Sequence, residues 1–81
     1  MNQEDFNLYQ VATTLYAQSH QVIKISREYL GSINNKDISA TTLAKKKELN
    51  DIISNEEKRE ETYKKIKDDI EQKYFGTKVN D

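Results

Sequence analysis

From Leu8 to Leu30 the chain carries its only long continuous apolar face, and this stretch limits the possible folds more than any other. Leu8, Leu15, Val22 and Tyr29 recur every seven residues, with Val11, Gln18 and Ile25 standing between them. Alternating steps of three and four mark one face of an α-helix. A second column follows one residue behind the first: Tyr9, Tyr16, Ile23 and Leu30. Between the two lies a column of short side chains, Ala12, Ser19 and Ser26. At about 100° per residue the columns together cover an arc of roughly 160°. A two-stranded seam needs less, so this helix has room for more than one neighbour.

The small column would let another helix approach closely, and serine hydroxyls can return to a carbonyl three or four residues back when buried. The opposite face is polar, with Gln3, Asn7, Gln10, Thr14, Gln21, Lys24 and Glu28. Asn2 reads as the N-cap, with Glu4 and Asp5 where the helix dipole favours acids. Met1 and Phe6 occupy the two staple positions around that cap. Gly31 reads as a left-handed stop after Leu30.

Gly31 to Ser39 has the turn chemistry of glycine, asparagine, aspartate and serine. The spacing predicts a first helix over about 3–30, a turn at 31–39 and a second helix over about 40–75. Ser39 is its expected cap, with Asp37 as a competitor and Ile38 and Leu43 as a staple. The second helix is apolar only in patches: Leu43, Leu49, Ile52 and Ile53, then Tyr63, Ile66, Ile70 and Tyr74. Ser54 to Thr62 between them is wholly polar. A capping box at Ser54 and Glu57 could split the helix there. No glycine or proline forces the break, which favours one long, bendable helix. Gly76 should stop it, leaving a mobile tail at 77–81.

The expected fold is therefore all-α: one domain, an antiparallel helical hairpin assembling as a helical bundle. Straight helices of these lengths would measure about 39 Å and 54 Å. The second would then overhang the first at its C-terminal end, carrying Ile70, Tyr74 and Phe75 onto another surface. Helix two offers only a narrow seam to helix one. A protein partner or a second copy is therefore expected on Tyr9, Ala12, Tyr16, Ser19, Ile23 and Leu30. A symmetric pair of hairpins would form a four-helix bundle.

Function classes narrow by composition. With 81 residues, 35% hydrophobic and 33% charged, the chain can bury little core alone, and small scaffolds commonly compensate by associating. No cysteine is present, so no disulfide framework or thiolate chemistry is available. A net charge of −1 argues against an electrostatically driven nucleic-acid or membrane binder. No apolar run approaches the ~18 residues of a membrane span, and no signal-peptide pattern is visible. The expected location is cytoplasmic, with export lacking a cleaved leader left open.

No catalytic set is legible. His20 is the single histidine and has no nucleophile–base–orienter company. Asp68, Asp69 and Glu71 are surrounded by lysines and read as a solvated face. Neither a phosphate loop nor a zinc ligand set occurs. No enzyme activity, cofactor, metal or small-molecule substrate is expected. Lys45-Lys46-Lys47 point about 100° apart and are followed by Glu48 and Asp51. With Lys64 to Lys67 they carry the alternative reading, a phage- or plasmid-type nucleic-acid-binding regulator.

Tyr29-Leu30-Gly31 at the turn between two helices resembles the Trp-x-Gly signature of WXG100 helical hairpins, substrates of type VII secretion. The resemblance covers the turn and the two-helix layout. Tyrosine stands for the tryptophan, and Tyr63 and Tyr74 are followed four residues later by Lys67 and Lys78, where the export signal has an acid. It implies a type VII secretion substrate or partner. The residues themselves imply a small non-enzymatic adaptor, chaperone, inhibitor or assembly subunit.

Overall fold

The computed structural model describes residues 1–76. Two helices, α1 (Gln3–Ser32) and α2 (Ala40–Phe75), pack against each other as an antiparallel hairpin. Its extents of 54 × 28 × 14 Å are those of a single layer two helices wide. The tail expected at 77–81 lies outside the described residues.

Local chemistry explains the ends. Asn2 is the N-cap of α1, its side-chain oxygen accepting from the Asp5 amide at 2.8 Å. Ser39 caps α2 by accepting from the Thr42 amide. Asp37 supports this cap: one carboxylate oxygen accepts from the Ser39 amide and the other from the Thr42 hydroxyl. These bonds hold the Asp37 carboxyl below its ordinary value, the Ser39 amide contributing most. Gly76 ends α2 with φ of 70°, a backbone that favours glycine.

Gly31 behaves differently from its expected role, because α1 runs through it to Ser32. Ile33 closes the helix in extended backbone, its amide donating to the Leu30 carbonyl. The Ser32 hydroxyl donates to the Tyr29 carbonyl. The last carbonyls thus find partners without a left-handed residue. The break considered at Ser54 is absent, and α2 is continuous through its polar centre. Ile38 is 78% exposed, so no staple closes over it.

The seam is a heptad pattern on both helices. On α1 and its C-cap the buried and half-buried positions of the seam are Asp5, Tyr9, Ala12, Tyr16, Ser19, Ile23, Ser26, Leu30 and Ile33, with Thr13 and Leu15 half-buried at its edges. On α2 they include Lys46, Leu49, Ile53, Glu56, Glu60, Tyr63, Lys67, Ile70 and Tyr74. Both runs step by three and four, as interlocking antiparallel helices require. Cross-helix bonds Asp5–Tyr74, Tyr9–Glu71 and His20–Glu60 fix the register. It brings the end of α1 level with about Lys46, so roughly a turn and a half of α2 overhangs at the loop. The overhang expected at the C-terminal end is therefore at the opposite end. Tyr74 is tied to the first turn of α1 instead of projecting past it.

Candidate protein-interaction surface

The columns of α1 exchange the roles expected of them. Helix α2 covers the second and the small columns, where Ala12, Ser19, Ile23 and Ser26 are buried and Tyr9, Tyr16 and Leu30 half-buried. Of the residues anticipated for an outside partner, Tyr9, Ala12, Tyr16, Ser19, Ile23 and Leu30 thus line the hairpin's own seam. Ile70 is buried in it and Tyr74 half-buried at its end. Phe75 alone stands clear, 70% exposed.

The exchange has an electrostatic cause. Seam positions of α2 include Glu56, Glu60 and Lys67, with Glu71 at the edge, and these need polar partners. The second column and its flank supply them for Glu60 and Glu71, while Glu56 pairs with Arg59 and Lys67 with Glu71 inside α2. The Tyr9 hydroxyl donates to Glu71 at 2.5 Å, and Lys67 Nζ donates to the same oxygen at 3.3 Å. The Tyr9 bond, then Lys67, holds the Glu71 carboxyl below its ordinary value. Glu71 in turn pushes up both the Tyr9 phenol and the Lys67 ammonium. His20 Nδ1 lies 2.9 Å from Glu60, and Arg27 donates to Glu57 at 2.5 Å. At the helix ends Lys73 donates to Asp5 at 2.8 Å, and the Tyr74 hydroxyl donates to the same carboxylate. Lys73 first and Tyr74 second depress Asp5. Leucine and valine at positions 8, 11, 15 and 22 could satisfy none of these groups.

The hairpin consequently has two unlike faces. On one, His20, Lys24, Arg27, Glu28, Glu57 and Glu60 surround an open groove that also reaches Ile23. On the other the first column of α1 faces outward without a covering element among the described residues. Leu8 is 47% exposed, Val11 53%, Val22 38%, Ile25 53% and Tyr29 47%, with Leu15 half-buried among them. Ile52 and Ile66 of α2 stand on the same flank, in a column whose other members are Lys45, Arg59 and Lys73. Lys45 confirms the side, with its ammonium 5.7 Å over the Tyr29 ring. Gln18 is the one polar member of the stripe from Leu8 to Tyr29.

This stripe has the residues that sequence reasoning assigned to the intramolecular contact. The signal for its exposure was its purity: apart from Gln18 and the Tyr29 hydroxyl it has no hydrogen-bonding group, while α2 brings charges to its own seam.

Most lysines of the rival reading are engaged locally. Lys47 pairs with Asp51, Lys64 with Asp68 and Lys67 with Glu71, while Lys46 reaches Asn35 in the connection. Among the described residues no three histidine, cysteine, aspartate or glutamate side chains are placed to hold a metal ion. Among them, too, no helix is long and apolar enough to cross a membrane. Comparisons with protein-family models, curated proteins and solved structures find no match for this chain. The WXG100 resemblance therefore rests on Tyr29-Leu30-Gly31 and the hairpin layout alone.

Proposed function

We propose that this chain is a non-catalytic binding module whose working surface is the outer stripe of α1. The observation that carries the reading is the apolar line from Leu8 to Tyr29, interrupted only at Gln18 and left largely uncovered by the chain's own second helix. Scattered apolar residues on a surface need no explanation, but a contiguous line does. The hairpin does not need the stripe for its own closure, because α2 lies on the other columns and is tied there by hydrogen bonds. Anchors spaced by three and four along about 32 Å fit helix-against-helix recognition. The reading covers an adaptor, a chaperone, an inhibitor or an assembly subunit, each of which would present such a line to another helix.

A photo-crosslinking amino acid placed at Val11 or Ile25, in the full chain and in its native cell, tests this. Placement at Glu61, outside the stripe and the seam, serves as the control. The expected result is discrete protein adducts from the two stripe positions and only background from Glu61. Equal background at all three positions would overturn the assignment of the stripe.

A further inference from the structure

We infer that the occupant of the stripe is a second copy of this chain, with α1 lying antiparallel on α1 of its partner about a two-fold axis at Gln18. This deepens the binding-module reading and rests on it.

The area fits. At the exposures given above, the five most exposed members of the stripe present on the order of 500 Å² in one line, within the range of the largest patches on monomers. A homodimer interface is ordinarily about 65% apolar, so with its polar rim this stripe would account for roughly 750–800 Å² per partner. That is the share each partner gives to a stable interface of standard size, about 800 Å².

The order of residues fits an antiparallel copy. Val11 and Ile25 stand at equal distances on either side of Gln18, and Leu8 and Tyr29, and Leu15 and Val22, match to within one residue. An antiparallel pair centred there sets apolar levels on apolar levels and brings the two Gln18 amides together. Each amide can donate to and accept from the other, so this polar position need not be orphaned when covered. Outside the stripe, Glu4 comes level with Ser32, Asn7 with Glu28, and Thr14 with Gln21. No like charges meet along this edge. A parallel pair would set Glu28 on Glu28 and Glu4 on Glu4. Seating α2 of the partner on the stripe would bring Lys45, Arg59 and Lys73 over an uncharged line, removing water from three cations, of which Arg59 and Lys73 hold acids of their own chain, Glu56 and Asp5, while the stripe offers no further acid.

The chain contains no cysteine, so single introduced thiols report the register directly. Sedimentation of the full chain from 1 to 200 µM should move from monomer to dimer mass. Ile25→Asp should raise the dissociation constant at least ~100-fold without lowering helicity. Under oxidation Gln18→Cys should give a disulfide-linked dimer. Leu8→Cys should link only when mixed with Tyr29→Cys, and Glu61→Cys should stay at the collisional level. Facing Cα atoms of helices ~8–10 Å apart come within disulfide reach. Self-linkage of Leu8→Cys alone as efficient as that of Gln18→Cys would overturn the antiparallel register. A monomer across the whole concentration range would overturn the second copy. The binding-module reading is judged separately, by adducts to a different protein from Val11 or Ile25.

Discussion

Ile23 and Ile25 lie two residues apart on α1 and differ almost only in direction. Ile23 is 4% exposed in the seam, whereas Ile25 lies on the outer stripe. Truncating each to alanine removes the same three carbon groups. At Ile23 all three leave a buried site, worth about 0.8 kcal/mol each and about 2.5 kcal/mol together. That is the lower part of the ~2–5 kcal/mol found for such truncations. The lower part is appropriate here because the seam is one layer thick and no large side chain in it is wholly buried. At Ile25 about half the side chain is already in water, which halves the loss. Alanine's better helix propensity offsets a further few tenths of a kcal/mol, leaving about 1 kcal/mol or less. A domain of this size shifts by about 4–8 °C per kcal/mol, so Ile23→Ala should lower the melting temperature by roughly 10–20 °C. Ile25→Ala should lower it by less than about 8 °C. The melts are followed by circular dichroism below 1 µM, where association contributes least. Equal losses, or the larger loss at Ile25, would mean that α2 sits on the other column and would refute the seam described here.

Two further outcomes follow from the helix ends. Ser39→Ala should destabilise the hairpin by about 1 kcal/mol in denaturant titration, since the Thr42 amide loses its acceptor. Acid should also destabilise it. Asp5 and Asp37 lie below their ordinary value of 3.8 and Glu71 below 4.5. Their contribution is present above those values and is lost as pH falls through the lower folded-state ones. The melting temperature should therefore fall as pH drops through and below these ordinary values, with a shallower fall in Asp5→Asn. A melting temperature unchanged by acid would contradict the bonding of Tyr9, Lys67, Lys73 and Tyr74 to these carboxylates.

What depends on neighbours in the chain was legible in the sequence. Asn2, Ser39 and Gly76 mark helix ends by their own side chains or lack of one, and the continuity of α2 followed from the absence of any breaker between Ser39 and Gly76. The failure at Gly31 shows the boundary of such reasoning. Glycine permits a left-handed stop without requiring it, and Ser32 and Ile33 supplied the needed hydrogen bonds one turn-position later. The end at which α2 overhangs was not legible, because the connection's length does not fix the register. The bonds from Tyr74 and Lys73 to Asp5 do, across nearly the whole chain. The residues of the candidate surface were all visible as one apolar column, but which of the two columns faces outward depends on what α2 brings to the contact.

That dependence explains why the more apolar column is the one left exposed. By area alone α2 would cover Leu8, Val11, Leu15, Val22 and Ile25, since burial of hydrocarbon favours the larger side chains. Yet α2 has few apolar residues to offer, and Glu56, Glu60 and Lys67 recur at the spacing that must face a partner helix. Against leucine and valine Glu60 and Glu71 would lose water without the partners they have on α1, at about 1–3 kcal/mol for an uncharged group and more for a charged one, whereas Glu56 and Lys67 keep Arg59 and Glu71 within α2. The other face of α1 offers the Tyr9 hydroxyl and the His20 ring, with serines small enough to let the helices close around them. The polar side chains therefore decide between two possible seams, and the apolar ones accept the result. A hairpin closed in this way stays thin and keeps its best hydrophobic surface free. Because α2 finds partners for Glu60 and Glu71 on the other columns, the first column stays free for a surface with an uncharged face of its own, and α1 has one.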